Sequence, residues 1–202
     1  MQIKSLMIKN PITISEQASI QDALDIMNQH SIRHLPVVTK EGRFIGFVTL
    51  TDIKQAFIPS MVSDLSLKDI MVKDPIVLSP DADIETAVRI IYKHKIGGIP
   101  VVENNKLAGI ITITDLLEAF ANMLGILTKS VRVDVNLDNN PMGFHEVSRI
   151  IQSNGGQIIS VGISPQKIDQ NVYCFRLQPC DTEQIAQALK KSGYKIVGIE
   201  GL

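Results

Sequence analysis

Apolar residues Ile20, Ala23, Leu24 and Met27 recur at three- and four-residue spacing, which lines them along one face of a helix. Ser19 stands just before them and Asp22 three residues later, the pattern of an N-cap with its first-turn acid. Two short apolar runs follow, Leu35 to Val38 and Phe44 to Val48, and the Glu41-Gly42 turn between them predicts a strand pair. A Pro-led extended run, Ile12 to Ile14, precedes the helix, and Thr51 to Phe57 closes the pattern with a second helix. The order is strand, helix, strand, strand, helix.

The same order then returns. Met71 to Phe120 aligns with Met7 to Phe57 at one constant offset: Met71 with Met7, Pro75 with Pro11, Ala87 with Ala23, His94 with His30 and Pro100 with Pro36. After one deletion in the turn, Gly109 falls on Gly46, Thr112 on Thr49 and Asp115 on Asp52. The second copy has its own cap, Asp83 with Thr86, its own helix face, Ile84, Ala87, Val88 and Ile91, and its own strands, Ile76 to Leu78, Ile99 to Val102 and Leu107 to Ile111. Thr114 to Leu124 is its closing helix. A unit of three strands with helices on one side is too small a core to stand alone, so the two copies are expected to pack together as residues 1–62 and 63–128.

From Ser130 the pattern changes. Val131 to Leu137 alternates as a strand, Gly143 to Ser153 is helical, and Gln157 to Ser164 and Asn171 to Gln178 are strands around a Pro165 to Gln170 turn. Thr182 to Lys191 is a helix capped by Asp181 or Thr182, and Tyr194 to Ile199 is the last strand. This βαββαβ order predicts a ferredoxin-like fold for residues 129–202. The whole chain is therefore read as α/β (α+β).

With 202 residues, 45% of them hydrophobic, and a formal net charge of −1, the chain has no basic surplus to attract a phosphate backbone. Nucleic acid is not expected as a partner. No stretch approaches the roughly 18 apolar residues of a spanning helix, so no membrane is expected and the cytoplasm is the expected location. The two cysteines, Cys174 and Cys180, form neither a disulfide framework nor a metal knuckle. No Gly-x-Ser-x-Gly, His-Glu-x-x-His, P-loop or Cys with a paired His is found, so no catalytic site, no required cofactor and no metal are expected.

The polar signal is Gly46-Phe-Val-Thr49-Leu-Thr51-Asp52, repeated as Gly109-Ile-Ile-Thr112-Ile-Thr114-Asp115. It sits where the last strand of each copy enters its last helix. One reading is helix capping, worth about 0.3 to 1 kcal/mol through the helix dipole. The other is a ligand corner: a carboxylate accepts both hydroxyls of a ribose, the helix start receives phosphate, and glycine lets the backbone approach a ligand. Arg33 and His34 precede Leu35-Pro36, whereas Gly97 and Gly98 precede Ile99-Pro100. If these segments line ligands, the first offers cations and the second offers space; otherwise Arg33 and His34 are solvated turn residues. His30 and His94 fall near helix C-termini and suit that end of the dipole.

These motifs resemble the cystathionine-β-synthase (CBS) domain, and the tandem resembles a Bateman module, over residues 1 to about 124. The resemblance implies that Asp52 and Asp115 hold ribose, that Thr49 and Thr112 lie near phosphate, and that Ile12, Thr13, Ile76 and Val77 flank adenine, with Thr51 and Thr114 among the nucleotide-binding residues. It implies that Arg33, His34, Pro36, Gly98, Ile99 and Pro100 complete the sites. AMP, ADP, ATP or S-adenosylmethionine is the ligand class it implies, and a homodimer the assembly. Residues 130 to 202, with Asp138-Asn-Asn-Pro-Met-Gly143 ahead of the first helix, resemble the ACT domain. That resemblance implies an amino-acid site at Asn139, Asn140 and Gly143. Met142 interrupts the family's Pro-Gly pair, and a polar turn explains the same residues. A protein partner of unknown identity is expected to read the signal.

Overall fold

A computed structural model describes residues 1–56, 65–137, 140–167 and 170–201. The chain divides into two compact units, Met1–Leu117 and Glu118–Leu202. In the first, the helices begin where their caps predict. Ser19 Oγ accepts from Asp22 N at 3.0 Å while Asp22 Oδ2 accepts from Ser19 N at 2.9 Å, starting α1 (Ile20–Gln29). Asp83 Oδ1 accepts from Thr86 N at 2.7 Å and starts α4 (Ile84–His94). Ala23, Met27 and Ala87 are buried on the faces that the spacing marked, and His30 and His94 lie at the helix ends.

The remaining elements of this unit are β1 (Ile8–Lys9), β2 (Ile14–Ser15), β3 (His34–Val38), β4 (Phe44–Thr49), α2 (Leu50–Ala56), α3 (Leu67–Ile70), β5 (Val72–Lys73), β6 (Gly98–Glu103), β7 (Lys106–Thr112) and α5 (Ile113–Met123), the last running past the division. Phe57, the expected end of α2, lies outside the described residues. The extended runs ahead of α1 and α4 pair only at their ends. Ile14 and Ser15 join β3 in parallel, and in the second copy the contact is a single bridge from Leu78 to Val101. Ile12, Thr13, Ile76 and Val77 stay outside the ladders.

The sheet of each repeat gains a strand from the other repeat. Val72 and Lys73, which lead into the second repeat, pair with Phe47 and Gly46 of the first; Ile8 and Lys9, which lead into the first, pair with Ile110 and Gly109 of the second. The sheets therefore run β2-β3-β4-β5 and β1-β7-β6. The residues just upstream insert the same way. Leu67 is fully buried in the first repeat's core with Ala23, Met27, Leu35, Val37, Val48 and Ile53. Its counterpart Ile3 is also fully buried, with Ile3 N donating to Ala82 O at 2.8 Å. Burial of one such side chain contributes about 1.5–3 kcal/mol.

The second unit holds β8 (Val131–Asn136), α6 (Gly143–Ser153), β9 (Ile158–Lys167), β10 (Gln170–Leu177), α7 (Thr182–Lys191) and β11 (Lys195–Gly201). Its strands are antiparallel in the order β11-β8-β10-β9, the βαββαβ arrangement predicted. The expected Pro165 to Gln170 turn is shorter than its sequence suggested, because the strands continue to Lys167 and resume at Gln170. The core is Val133, Val135 and Leu137 with Phe175 and Leu177 of the sheet, covered by Val147, Ile151, Ile185 and Leu189 of the two helices.

Candidate functional site

At each strand-to-helix corner the threonine that ends the strand caps the helix. Asp52 Oδ2 accepts from Thr49 N at 2.8 Å and from Thr49 Oγ1 at 2.7 Å, and Thr49 Oγ1 accepts from Asp52 N at 3.3 Å. The second corner repeats this with Thr112 and Asp115 at 2.7, 2.7 and 3.4 Å. Capping is thus real in both copies, and it engages only one oxygen of each carboxylate. Among the described residues, Oδ1 of Asp52 and of Asp115 has no hydrogen-bond donor, and both side chains are only half-buried. The hydroxyl protons of Thr49 and Thr112 are spent on the carboxylates. The exposed hydroxyls of Thr51 and Thr114 are not spent in this way.

The motif glycines have a different role from the one their sequence suggested. A Cβ on Gly46 would lie 2.7 Å from Met71 Sδ and 3.2 Å from Val72 O; one on Gly109 would lie 2.7 Å from both Ile8 O and Met7 Sδ. Neither glycine has a positive φ, so space alone requires it. The close approach belongs to the other repeat's lead strand and methionine, not to a ligand. Met7 and Met71 were visible in the sequence only as matched positions in the repeat.

Arg33 and His34 are drawn to the first corner: Leu50 N donates to Arg33 O at 2.9 Å, and His34 is the register partner of Thr49. In the second corner Ile113 N donates to Gly97 O at 3.1 Å and Gly98 pairs with Thr112. Arg33 is exposed. His34 is half-buried and stacks on Phe47, with ring centroids 5.8 Å apart. Burial pushes its pKa down from 6.5, the Arg33 charge adds to that, and Asp52 opposes it. The expected pair of cations is therefore one cation and one ring neutral at pH 7. The expected space at Gly97-Gly98 is filled as well, because a Cβ on Gly97 would lie 2.7 Å from His34 Nε2.

The other candidates fall into two groups. Pro36, Ile99 and Pro100 are buried, Ile99 fully, so any contact they make with a ligand goes through the backbone. Ile12, Thr13, Ile76 and Val77 are exposed, and three of them are large apolar side chains left uncovered.

In the second unit Asn140 is tied into the turn before α6. Its Oδ1 accepts from Met142 N at 3.0 Å and its Nδ2 donates to Tyr194 Oη at 3.3 Å, while Tyr194 Oη donates to Glu146. Burial and the Glu146 carboxylate push the Tyr194 phenol up to about 12. Gly143 is buried, with Leu137 Cβ 3.3 Å from where its own Cβ would be. Asn139 lies outside the described residues. Among the described residues no three His, Cys, Asp or Glu side chains gather as metal ligands, and no helix is long and apolar enough to cross a membrane.

The CBS domain family model matches residues 3–59 and 67–122. Over 151 residues the chain is 29% identical to inosine-5'-monophosphate dehydrogenase of Methanocaldococcus jannaschii, covering 73% of this chain and 29% of that enzyme. It is 37% identical over 114 residues to homoserine O-acetyltransferase of Methanocorpusculum labreanum, covering 55% of this chain and 23% of that enzyme. The chain thus spans less than a third of the length of these curated relatives. Among solved structures, the CBS domain pair of protein MJ0100 in complex with 5'-methylthioadenosine and S-adenosyl-L-methionine is 29% identical, with a TM-score of 0.56 over 60% of this chain and 97% of that one. A candidate acetoin utilization protein, AcuB, from Vibrio cholerae is also 29% identical, with a TM-score of 0.57 over 62% of this chain and 94% of that one.

Proposed function

The chain belongs to the CBS-domain family, and from that premise we propose that it is a non-catalytic sensor that binds an adenine nucleotide at its paired repeats. The observation that carries this reading is the repeated corner in which one carboxylate oxygen caps the helix and the other is left to accept a ribose hydroxyl. Exposed threonine hydroxyls in the same motif are offered to phosphate, and Ile12, Ile76 and Val77 are uncovered apolar side chains for the base. Two enzymes of unrelated chemistry share this segment over 23–29% of their lengths, which supports a regulatory role for the segment in each.

In this reading residues 1–62 and 63–128 are the two CBS domains and residues 129–202 an ACT domain. The last is supported by the βαββαβ topology alone, a fold that hosts many functions. Nucleotide occupancy is passed to that domain or to a protein partner, in a homodimer, through the 1–3 kcal/mol typical of coupled sites. Likeness to the Vibrio cholerae protein makes acetoin utilization the pathway to test first. S-Adenosylmethionine is the second reading, favoured by the ligands of the MJ0100 pair.

Isothermal titration of nucleotide-stripped protein with AMP, ADP, ATP and S-adenosylmethionine tests this. Micromolar binding of a nucleotide, lost in Asp52→Ala/Asp115→Ala, is the expected result. Binding of S-adenosylmethionine alone would select the second reading, and silence from all four would leave an interaction scaffold.

A further inference from the structure

We propose that His34 is a specificity-determining residue that keeps the second corner from taking an adenine nucleotide, so that one nucleotide binds per chain, at the Asp52 corner. This rests on the nucleotide reading above and goes beyond it in saying which corner fills and why.

The ring belongs to the first repeat but lies along the second. A Cβ on Gly97 would stand 2.7 Å from His34 Nε2 and 2.9 Å from Cε1, and a Cβ on Gly98 would stand 3.4 Å from Cγ and Cδ2. The imidazole is therefore laid against two successive bare backbone residues. Those residues form the strand side of the second corner, since Gly97 O holds Ile113 N and Gly98 faces Thr112. A Gly98 Cβ would also touch Thr112 Cγ2 at 3.4 Å, so the ring and the capping threonine flank the same glycine. The volume that two glycines leave open beside Thr112 is occupied by protein.

The first corner has no such occupant from the second repeat. The residue matched to His34 is Gly98 and the residue matched to Arg33 is Gly97, so neither has a side chain that could reach back. What remains at the first corner is the exposed Arg33, whose backbone oxygen accepts from Leu50 N, and the His34 ring itself, paired across the strands with Thr49. The second corner has no counterpart to that cation. The ring is held by its stack on Phe47, itself 5% exposed and paired with Val72 in the exchanged strand. Moving it off Gly97 and Gly98 means giving up that stack.

The test is the stoichiometry of AMP on the full chain by isothermal titration. One AMP per chain is expected for the parent, none for Asp52→Ala, and two for His34→Gly, which gives the first repeat the residue the second already has. The added site is lost in His34→Gly/Asp115→Ala, which returns to one. Two AMP per chain in the parent would overturn the inference, as would a parent site that survives Asp52→Ala. A His34→Gly protein that melts like the parent and still binds one would overturn it as well. If His34→Gly does not fold, the parent and Asp52→Ala measurements decide on their own. Absence of AMP binding in every protein overturns the nucleotide reading, and the inference with it.

Discussion

Gly109→Ala is expected to destabilise the first unit markedly, while Gly46→Ala, at the matched position, is expected to be close to neutral. The difference lies in what each new methyl meets. At Gly109 the nearest atoms are the backbone oxygen of Ile8 and Met7 Sδ, both at 2.7 Å, with Met7 Cγ at 3.0 Å. An ordinary carbon–oxygen contact is about 3.3–3.6 Å, so β1 must retreat from β7 by more than half an ångström. Overpacking of this kind costs about 1–3 kcal/mol, and loss of ladder bonds at Ile8 and Lys9 adds about 1 kcal/mol each. The stiffer unfolded chain offsets only about 0.4–1 kcal/mol. At Gly46 the nearest atom is Met71 Sδ, the end of a flexible side chain, and the backbone oxygen of Val72 stands back at 3.2 Å. Met71 can turn away, and the remaining cost of about 1 kcal/mol is offset by the same unfolded-state term. A net loss of about 2–4 kcal/mol lowers Tm by about 4–16 °C for a chain of this size. Thermal melts followed by circular dichroism on both variants are the assay. Equal shifts, or a larger one for Gly46→Ala, would refute the assignment of these glycines to inter-repeat packing.

Removing the cap in Thr112→Ala should cost about 0.5–2 kcal/mol in urea denaturation, whereas Asp115→Asn, whose amide oxygen still accepts, should cost less. Asp22, Asp69 and Asp83 are each held below their ordinary value of 3.8, the first two chiefly by hydrogen bonds from Ser19 and Ser66 and the third by bonds from Thr86. Their contribution is complete above the unfolded pKa and is lost as pH falls through the folded one. The triple Asn variant should therefore show a flatter stability profile below about pH 4 than the parent. His34 also titrates below 6.5 in the folded chain, so as pH falls through 6.5 the unfolded chain takes up its proton first and stability declines. His34→Gln should remove that decline between pH 7 and the folded pKa, measured as Tm against pH; an unchanged slope would show that the ring is not buried as described.

The helices were legible because their signals are local. Ser19 with Asp22 and Asp83 with Thr86 lie within one turn, and the apolar spacing that follows fixes the buried face. Strands marked by an apolar run or by alternation, such as Phe44–Thr49 and Val131–Asn136, were legible for the same reason. The lead strands were not, because two residues such as Ile8–Lys9 carry no period and their partners lie in the other repeat. The glycines show why a site is harder to read than a fold. A sequence records that Gly46 lacks a side chain but not that Met71 occupies the space. Likewise Gly97 and Gly98 read as room for a ligand until His34, from the matched segment of the other repeat, is found against them.

The exchanged lead strands set a timetable for synthesis. Ile8 and Lys9 leave the ribosome before their partners Ile110 and Gly109, which follow about a hundred residues later, roughly 5–20 s at usual elongation rates. Through that interval this segment is an unpaired strand with Ile3 still uncovered, while the first repeat has its sheet edge open until Val72 arrives. Nascent chains on neighbouring ribosomes carry the same strand and the same open edge, so pairing between two molecules competes with pairing within one. The speed with which the second repeat emerges thus bears on whether the chain closes on itself or onto its neighbour.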